Sequence, residues 1–154
     1  MQTDMPTSKQ RILYEVDYLQ WIETTVDQLR HQDYAHIDWA NFIEEIEDMG
    51  KRERRAIESN LVILLMHLLK WQYQPARRSG SWSGSIVEHR RRLRKALQDS
   101  PSLQPYLSEI FQDTYTDAVK QAAAETEQPS NIFPPECPYA LAEVMDDEFL
   151  PRPK

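Results

Sequence analysis

The chain has 154 residues with 18 basic and 25 acidic side chains, a formal net charge of −7 that opposes non-specific nucleic-acid binding by the surface as a whole. With 40% apolar residues, 28% charged residues and only 3 glycines, it reads as one soluble globular domain with a real core and not as a turn-rich all-β fold. No run reaches the ~18–20 apolar residues of a membrane span. The N-terminus has no basic-then-apolar export pattern, and the single Cys137 leaves no intrachain disulfide or Cys-rich zinc site, so a cytoplasmic protein is expected.

In chain order the periodicity predicts helices. Residues 1–11 precede the first apolar stripe and are expected to be poorly ordered. Ile12, Val16, Leu19, Ile22, Val26 and Leu29 recur every three or four positions, which predicts a helix over roughly 12–31. Asp17 could equally cap a later start. The polar stretch 32–37 suits a short connection between packed helices. Asp38 stands where an N-cap belongs, just before the stripe Trp39, Phe42, Ile43, Ile46 and Met49. Gly50 offers a C-cap or a kink. The next stripe, Ile57, Leu61, Leu64, Leu65, Leu68 and Trp71, runs to Tyr73 and stops at Pro75. Residues 39–73 are therefore either one helix bent at Gly50 or two in sequence. The stretch 61–69 is apolar nearly all round, so this helix should be central.

Ser79-Gly80-Ser81 reads as a turn, and Ser81 or Ser83 as the cap of a helix with Trp82, Ile86, Leu93 and Leu97 on its inner face. Pro105 places the start of the following regular helix, with 101–104 as a preliminary turn. That helix continues through Leu107, Ile110, Phe111, Tyr115, Ala118, Val119 and Ala122 to about Thr126. Four prolines make 127–138 an extended segment, and a short helix over 139–145 with Pro138 at its first position should follow. The expected fold is all-α: a single-domain bundle of about five main helices over 1–154, with the Pro-rich segment 127–154 wrapped against it.

Charge is distributed unevenly. Residues 1–69 carry 7 basic and 13 acidic side chains, residues 70–95 carry 8 and 1, and residues 96–154 carry 3 and 11. The basic block either packs against acidic neighbours in the same fold or forms a patch for an anion or nucleic acid.

Several blocks taken together resemble a known group. They are Asp17-Tyr18-Leu19-Gln20-Trp21, then Glu44-Glu45-Ile46-Glu47-Asp48-Met49-Gly50, then His67-Leu68-Leu69-Lys70-Trp71-Gln72-Tyr73-Gln74-Pro75. Ser81-Trp82 with Ile86 and Arg90 follows, then Ser100-Pro101-Ser102-Leu103, Tyr115-Thr116-Asp117-Ala118, Glu125-Thr126, and Phe133-Pro134 with Cys137-Pro138-Tyr139. In this order they are similar to the bacterial domain-of-unknown-function family 29 over nearly the whole chain. The resemblance implies a helical fold and brings no catalytic assignment.

The chemistry must come from the residues. Glu44 and Glu47 share a helix face, with Glu47 at the margin of the apolar stripe beside Ile43 and Ile46. Such a cluster wants a cation, supplied either along the helix (Glu47 to Lys51, Asp48 to Arg52) or by Lys70 and the basic block. Glu44, Glu47, Lys70 and Trp82 therefore make a candidate polar site. No Glu-x-x-His or His-Glu-x-x-His pattern accompanies the carboxylates, so no metal or cofactor is expected. His67 sits in the most apolar stretch and is either a hydrogen-bonded boundary residue or a general base. With Arg77 or Arg90 it could imitate the His/Arg pair of a small helical ribonuclease, and arginines of 77–95 among Trp71, Tyr73 and Trp82 have the composition used on RNA. Three scattered glycines exclude a nucleotide-binding loop. The preferred expectation is a non-enzymatic interaction protein with a protein partner or a second copy of itself. The alternative is a metal-independent, ribonuclease-like enzyme acting on RNA or another phosphorylated substrate.

Overall fold

Four long helices and one short helix carry the fold of residues 13–154, the residues described by a computed structural model. The expectation of disorder over 1–11 lies outside the described residues. Among the described residues there is no strand, and no helix is long and apolar enough to cross a membrane. The protein is all-α. Its residues group into two compact units, one ending at Arg52 and the other running from Glu53 to Lys154.

In the first unit, residues 13–16 form a helical turn and helix α1 covers Tyr18–Arg30. Its start is set by Asp17, whose side chain accepts a hydrogen bond from the Gln20 N–H at 3.0 Å. The helix thus begins at the later of the two starts that the sequence allowed. Gln32, with φ of 57°, turns the chain out of the helix, and a 3-10 turn at Tyr34–His36 completes the connection. Ile37 and Asp38 are both buried at the corner. Asp38 caps the next helix as expected: its carboxylate accepts from the Asn41 N–H at 3.4 Å and from the Asn41 side chain at 2.6 Å.

Helix α2 covers Trp39–Tyr73 without a break. Gly50 is neither a C-cap nor the boundary between two helices. A glycine inside a helix costs only about 1 kcal/mol relative to alanine. Strong helix formers on both sides, Glu44 to Asp48 and Lys51 to Ala56, outweigh it. A Cβ at Gly50 would meet nothing within 4 Å, so no close approach requires glycine there.

The second unit holds the core. Ile57, Leu61, Leu64, Leu65, Leu68 and Leu69 of α2 are completely buried, which makes this half of α2 central, as its all-round apolar pattern predicts. The helix ends at Tyr73, and Pro75 opens a 3-10 turn at Pro75–Arg77. Helix α3 covers Gly80–Asp99. Its N-cap is Ser79, ahead of the expected Ser81 or Ser83. The Ser79 and Ser81 hydroxyls are instead hydrogen-bonded to each other at 2.8 Å. Ile86 and Leu93 are buried, and Leu97 packs at the edge of the core.

Helix α4 covers Leu103–Thr126 and starts two residues before Pro105. Proline is accommodated there because the N–H groups of a first turn have no intrahelical acceptor to lose. Leu103, Leu107, Tyr115, Ala118 and Ala122 face the core.

Glu127 leaves α4 in the left-handed region at φ 54° and starts the Pro-rich segment. That segment is fastened to the helices by specific donors. The Tyr115 hydroxyl donates to the Pro134 carbonyl at 2.7 Å. The Tyr139 hydroxyl donates to the Gln72 side chain at 2.7 Å. Phe133 is buried with its ring edge-on to Tyr73 at 5.0 Å. The last helix, α5, is Leu141–Met145, shorter than the expected 139–145. Its cap is Ala140, whose N–H is taken by the Glu143 carboxylate at 2.9 Å, so Pro138 lies outside it.

Candidate functional site

Two regions merit attention, one in each unit. In the first, α1 and the beginning of α2 form a helical hairpin. Its clasp is Glu45, which accepts hydrogen bonds from the hydroxyls of Tyr14 and Tyr18, both at 2.5 Å. These bonds hold the Glu45 carboxyl below its ordinary value and push Tyr14 up to about 12. Of the carboxylate run 44–48, then, it is Glu45 that is committed structurally. The signal that could have found it is the pair of tyrosines one helical turn apart at 14 and 18.

Along this hairpin runs an apolar groove of about 180 Å³. It is lined from α1 by Trp21, Ile22, Val26 and Leu29 and from α2 by Phe42, Ile46 and Met49, among others. The apolar stripe 39–49 is largely open: Ile43, Ile46 and Met49 are 52%, 52% and 53% exposed. Val16, Leu19, Val26 and Trp39 are exposed as well. The periodicity was legible, but a unit of two helices has only one inner seam. Trp21, Thr25 and Ile37 fill it, and among the described residues the rest of each stripe has no third element over it.

Glu44 and Glu47 are exposed in this unit. Along the helix, Lys51 meets Asp48 at 3.9 Å rather than Glu47, because the pair three apart competes with the pair four apart.

The second region surrounds Lys70. This lysine is 8% exposed. Its Nζ donates to the Glu125 carboxylate of α4 at 2.6 Å and lies 4.5 Å from the centre of the Trp82 ring of α3. Two of the four residues of the candidate polar site, Lys70 and Trp82, lie together here, and the acid that meets the lysine is Glu125. Sequence spacing had no means of selecting Glu125 among the other carboxylates, since 55 residues separate it from Lys70.

His67 lies one turn before Lys70, with its Nδ1 against the Ile63 carbonyl at 2.9 Å. Burial lowers its pKa, the carbonyl raises it, and the Lys70 charge lowers it further, for a net decrease. His89 of α3 pairs through Nδ1 with the Asn60 side chain at 2.8 Å, and burial lowers its pKa too. Both imidazoles are thereby favoured in the neutral form at pH 7.

The basic block is largely paired within its own unit. Arg91 and Arg92 both bind Glu88, whose carboxyl they hold down to about 2. Arg94 meets Asp147 at 2.6 Å, and Lys95 meets Asp99 at 3.2 Å. Arg78 lies over the Trp71 ring at 4.6 Å and donates to the Trp71 carbonyl.

Arg90, a candidate for phosphate contact, is 1% exposed. It donates through Nε to the Val144 carbonyl at 2.8 Å, through Nη1 to Asp147 at 3.5 Å and through Nη2 to Phe149 at 2.7 Å. Its role in this structure is to staple the C-terminal segment, and a ligand in solution cannot reach it. Arg77 is exposed in the turn after α2. Among the described residues, no group of three or more His, Cys, Asp or Glu side chains is placed to hold a metal ion.

A family model described as "Domain of unknown function DUF29" matches residues 13–150, so the chain belongs to that family. No curated protein matches, and no solved structure matches.

Proposed function

We propose that this DUF29 member is a non-enzymatic, cytoplasmic binding module of a bacterial cell, and that it engages a protein partner through the apolar groove of its first unit. The observation that carries this reading is the exposure of Val26 on α1 and of Ile46 and Met49 on α2, all lining one groove. Scattered exposed apolar side chains are ordinary, but a contiguous row on two adjacent helices has the form of a contact surface. The second unit supplies a well-filled core and no comparable open row. A single, unpaired cysteine suits a reducing compartment, where disulfides are not used.

A photoactivatable residue in place of Ile46 tests the reading in the producing cell. A discrete protein adduct from position 46, absent when the same residue replaces Glu58 on the second unit, is the expected result. No adduct from position 46, or the same adducts from both positions, overturns it.

The second reading is a ribonuclease-like site. What favours it is the neutral His67 next to a buried cation. What weakens it is that Arg90 is inaccessible and that the other cations of the block, apart from Arg77, already have partners. RNA would have to displace a carboxylate at most of its phosphate contacts. Titration of a labelled single-stranded RNA at low salt separates the two: saturable binding that Arg77→Ala weakens would restore the enzyme reading.

A further inference from the structure

We propose that the recess between α4 and the Pro-rich segment is a binding site for a small monocarboxylate with an apolar body. The recess lies in the second unit and is independent of the groove discussed above. Its volume is about 410 Å³, within the ~300–1,000 Å³ of small-molecule sites. It is preformed. Tyr115 of α4 and Pro134 both line it, and the Tyr115 hydroxyl donates to the Pro134 carbonyl at 2.7 Å. The two walls are therefore tied together before a ligand arrives, which lowers the cost of ordering on binding.

The lining selects the ligand. Val119, Phe133 and Pro135 supply apolar surface, and Lys120, Ser130 and Asn131 supply polar groups. These three are exposed, and none of their side chains has a partner among the described residues. Lys120 is the sole charged residue of the lining. Asp117, three residues back on α4, does not pair with it. An ammonium, an amide and a hydroxyl can all donate, so the group they receive is an acceptor. One positive charge balances a carboxylate and leaves a phosphate dianion half neutralised. The apolar side chains take the body of the molecule, which a bare inorganic anion lacks.

Three probes that share one ring system test this. They are 2-naphthoate, its neutral amide and the cationic 2-naphthylmethylamine. Each is titrated into the full chain labelled with nitrogen-15, and binding is read from the backbone amide shifts. The variants are Lys120→Gln and Val119→Trp, the second of which fills the recess. Lys95→Gln makes the same charge change elsewhere in the unit. Circular dichroism checks each variant for unchanged helicity.

The expected result is a saturable shift of the Asn131 and Phe133 amides with 2-naphthoate. Lys120→Gln should weaken it roughly two- to fivefold, the worth of an exposed ion pair. Lys95→Gln should leave it unchanged, and Val119→Trp should abolish it. The neutral amide should bind more weakly than the acid, and the amine more weakly still. Equal binding of acid and amide, or an acid affinity that Lys120→Gln does not change, overturns the carboxylate assignment. Equal weakening by Lys95→Gln reduces the effect to bulk charge and overturns it as well. Shifts that map away from the recess, or no saturable shift at roughly 10 mM acid, overturn the site itself.

Discussion

Replacing Arg90 with methionine separates a staple from a ligand contact. The side chain is buried in α3, and its three donors end on the carbonyls of Val144, Asp147 and Phe149. Methionine retains much of the packing volume and removes every donor. The two short bonds, at 2.8 and 2.7 Å, have a charged donor, and such bonds are worth about 1.5–3 kcal/mol each. The third, at 3.5 Å, is too long to add much. The sum is about 3–6 kcal/mol. The carbonyls lie in a terminal segment that can loosen and rehydrate, so the lower end, about 3 kcal/mol, is the expected cost. For a unit of this size each kcal/mol moves Tm by about 4–8 °C, which puts the shift above roughly 10 °C. Thermal unfolding followed by circular dichroism measures it, and limited proteolysis should show earlier cleavage after residue 138. Arg90→Lys should not restore stability, because an ammonium cannot span three carbonyls as the planar fork does. A Tm within about 3 °C of wild type would refute the staple and reopen Arg90 as a ligand contact.

The other expectations concern the core and the two polar clusters. Leu68→Ala should cost about 2–5 kcal/mol, since Leu68 is completely buried on the central helix; chemical denaturation reads it directly, and an unchanged midpoint would remove α2 from the core. Gly50→Ala should stabilise by about 0.5–1 kcal/mol, because the site is helical and open; a loss of stability in the same measurement would mean that glycine is required there. Glu125→Gln should cost about 1–2 kcal/mol, between exposed and buried pairs, because it strands a buried Lys70 while Glu125 itself is half open to water. Lys70→Met should cost less than Glu125→Gln by the same assay, and the reverse order would show that the lysine's charge is itself stabilising.

Glu45 sets a pH dependence. Its carboxyl is held below 4.5 by the two tyrosine hydroxyls, so the folded state binds its proton less readily than the unfolded chain does. The stabilisation is complete above 4.5 and is lost as pH falls through the lowered folded value. Tyr14, pushed from 10 to about 12, acts in the opposite direction: its share is complete below 10 and is lost as pH rises through about 12. Glu45→Gln should therefore narrow its stability deficit relative to wild type as pH drops from 6 to 3. A deficit that stays constant over that range would refute the assignment.

Helix content and most helix ends are local properties, and the sequence alone determined them. Apolar spacing located the four long helices, Asp38 was legible as a cap, and Pro75 as a stop, because each acts on neighbouring backbone groups. The all-round apolar run 61–69 identified the central helix for the same reason. Local rules failed where two local signals competed. Gly50 opposed strong helix formers on both sides and lost, and Pro105 was absorbed into a first turn that needs no donor.

What only the tertiary structure decided is which apolar stripe is covered and which charge meets which. Stripes 39–49 and 57–71 look alike as periodicity, yet Ile46 is half exposed and Leu64 fully buried. The difference lies in the number of neighbouring helices, a quantity that no single helix encodes. Lys70 finds Glu125 and Arg90 finds the carbonyls of 144–149 across more than 50 residues of chain. A charge in sequence carries its sign and its reach but not its partner, because partners are chosen by packing and packing is settled only when the helices meet.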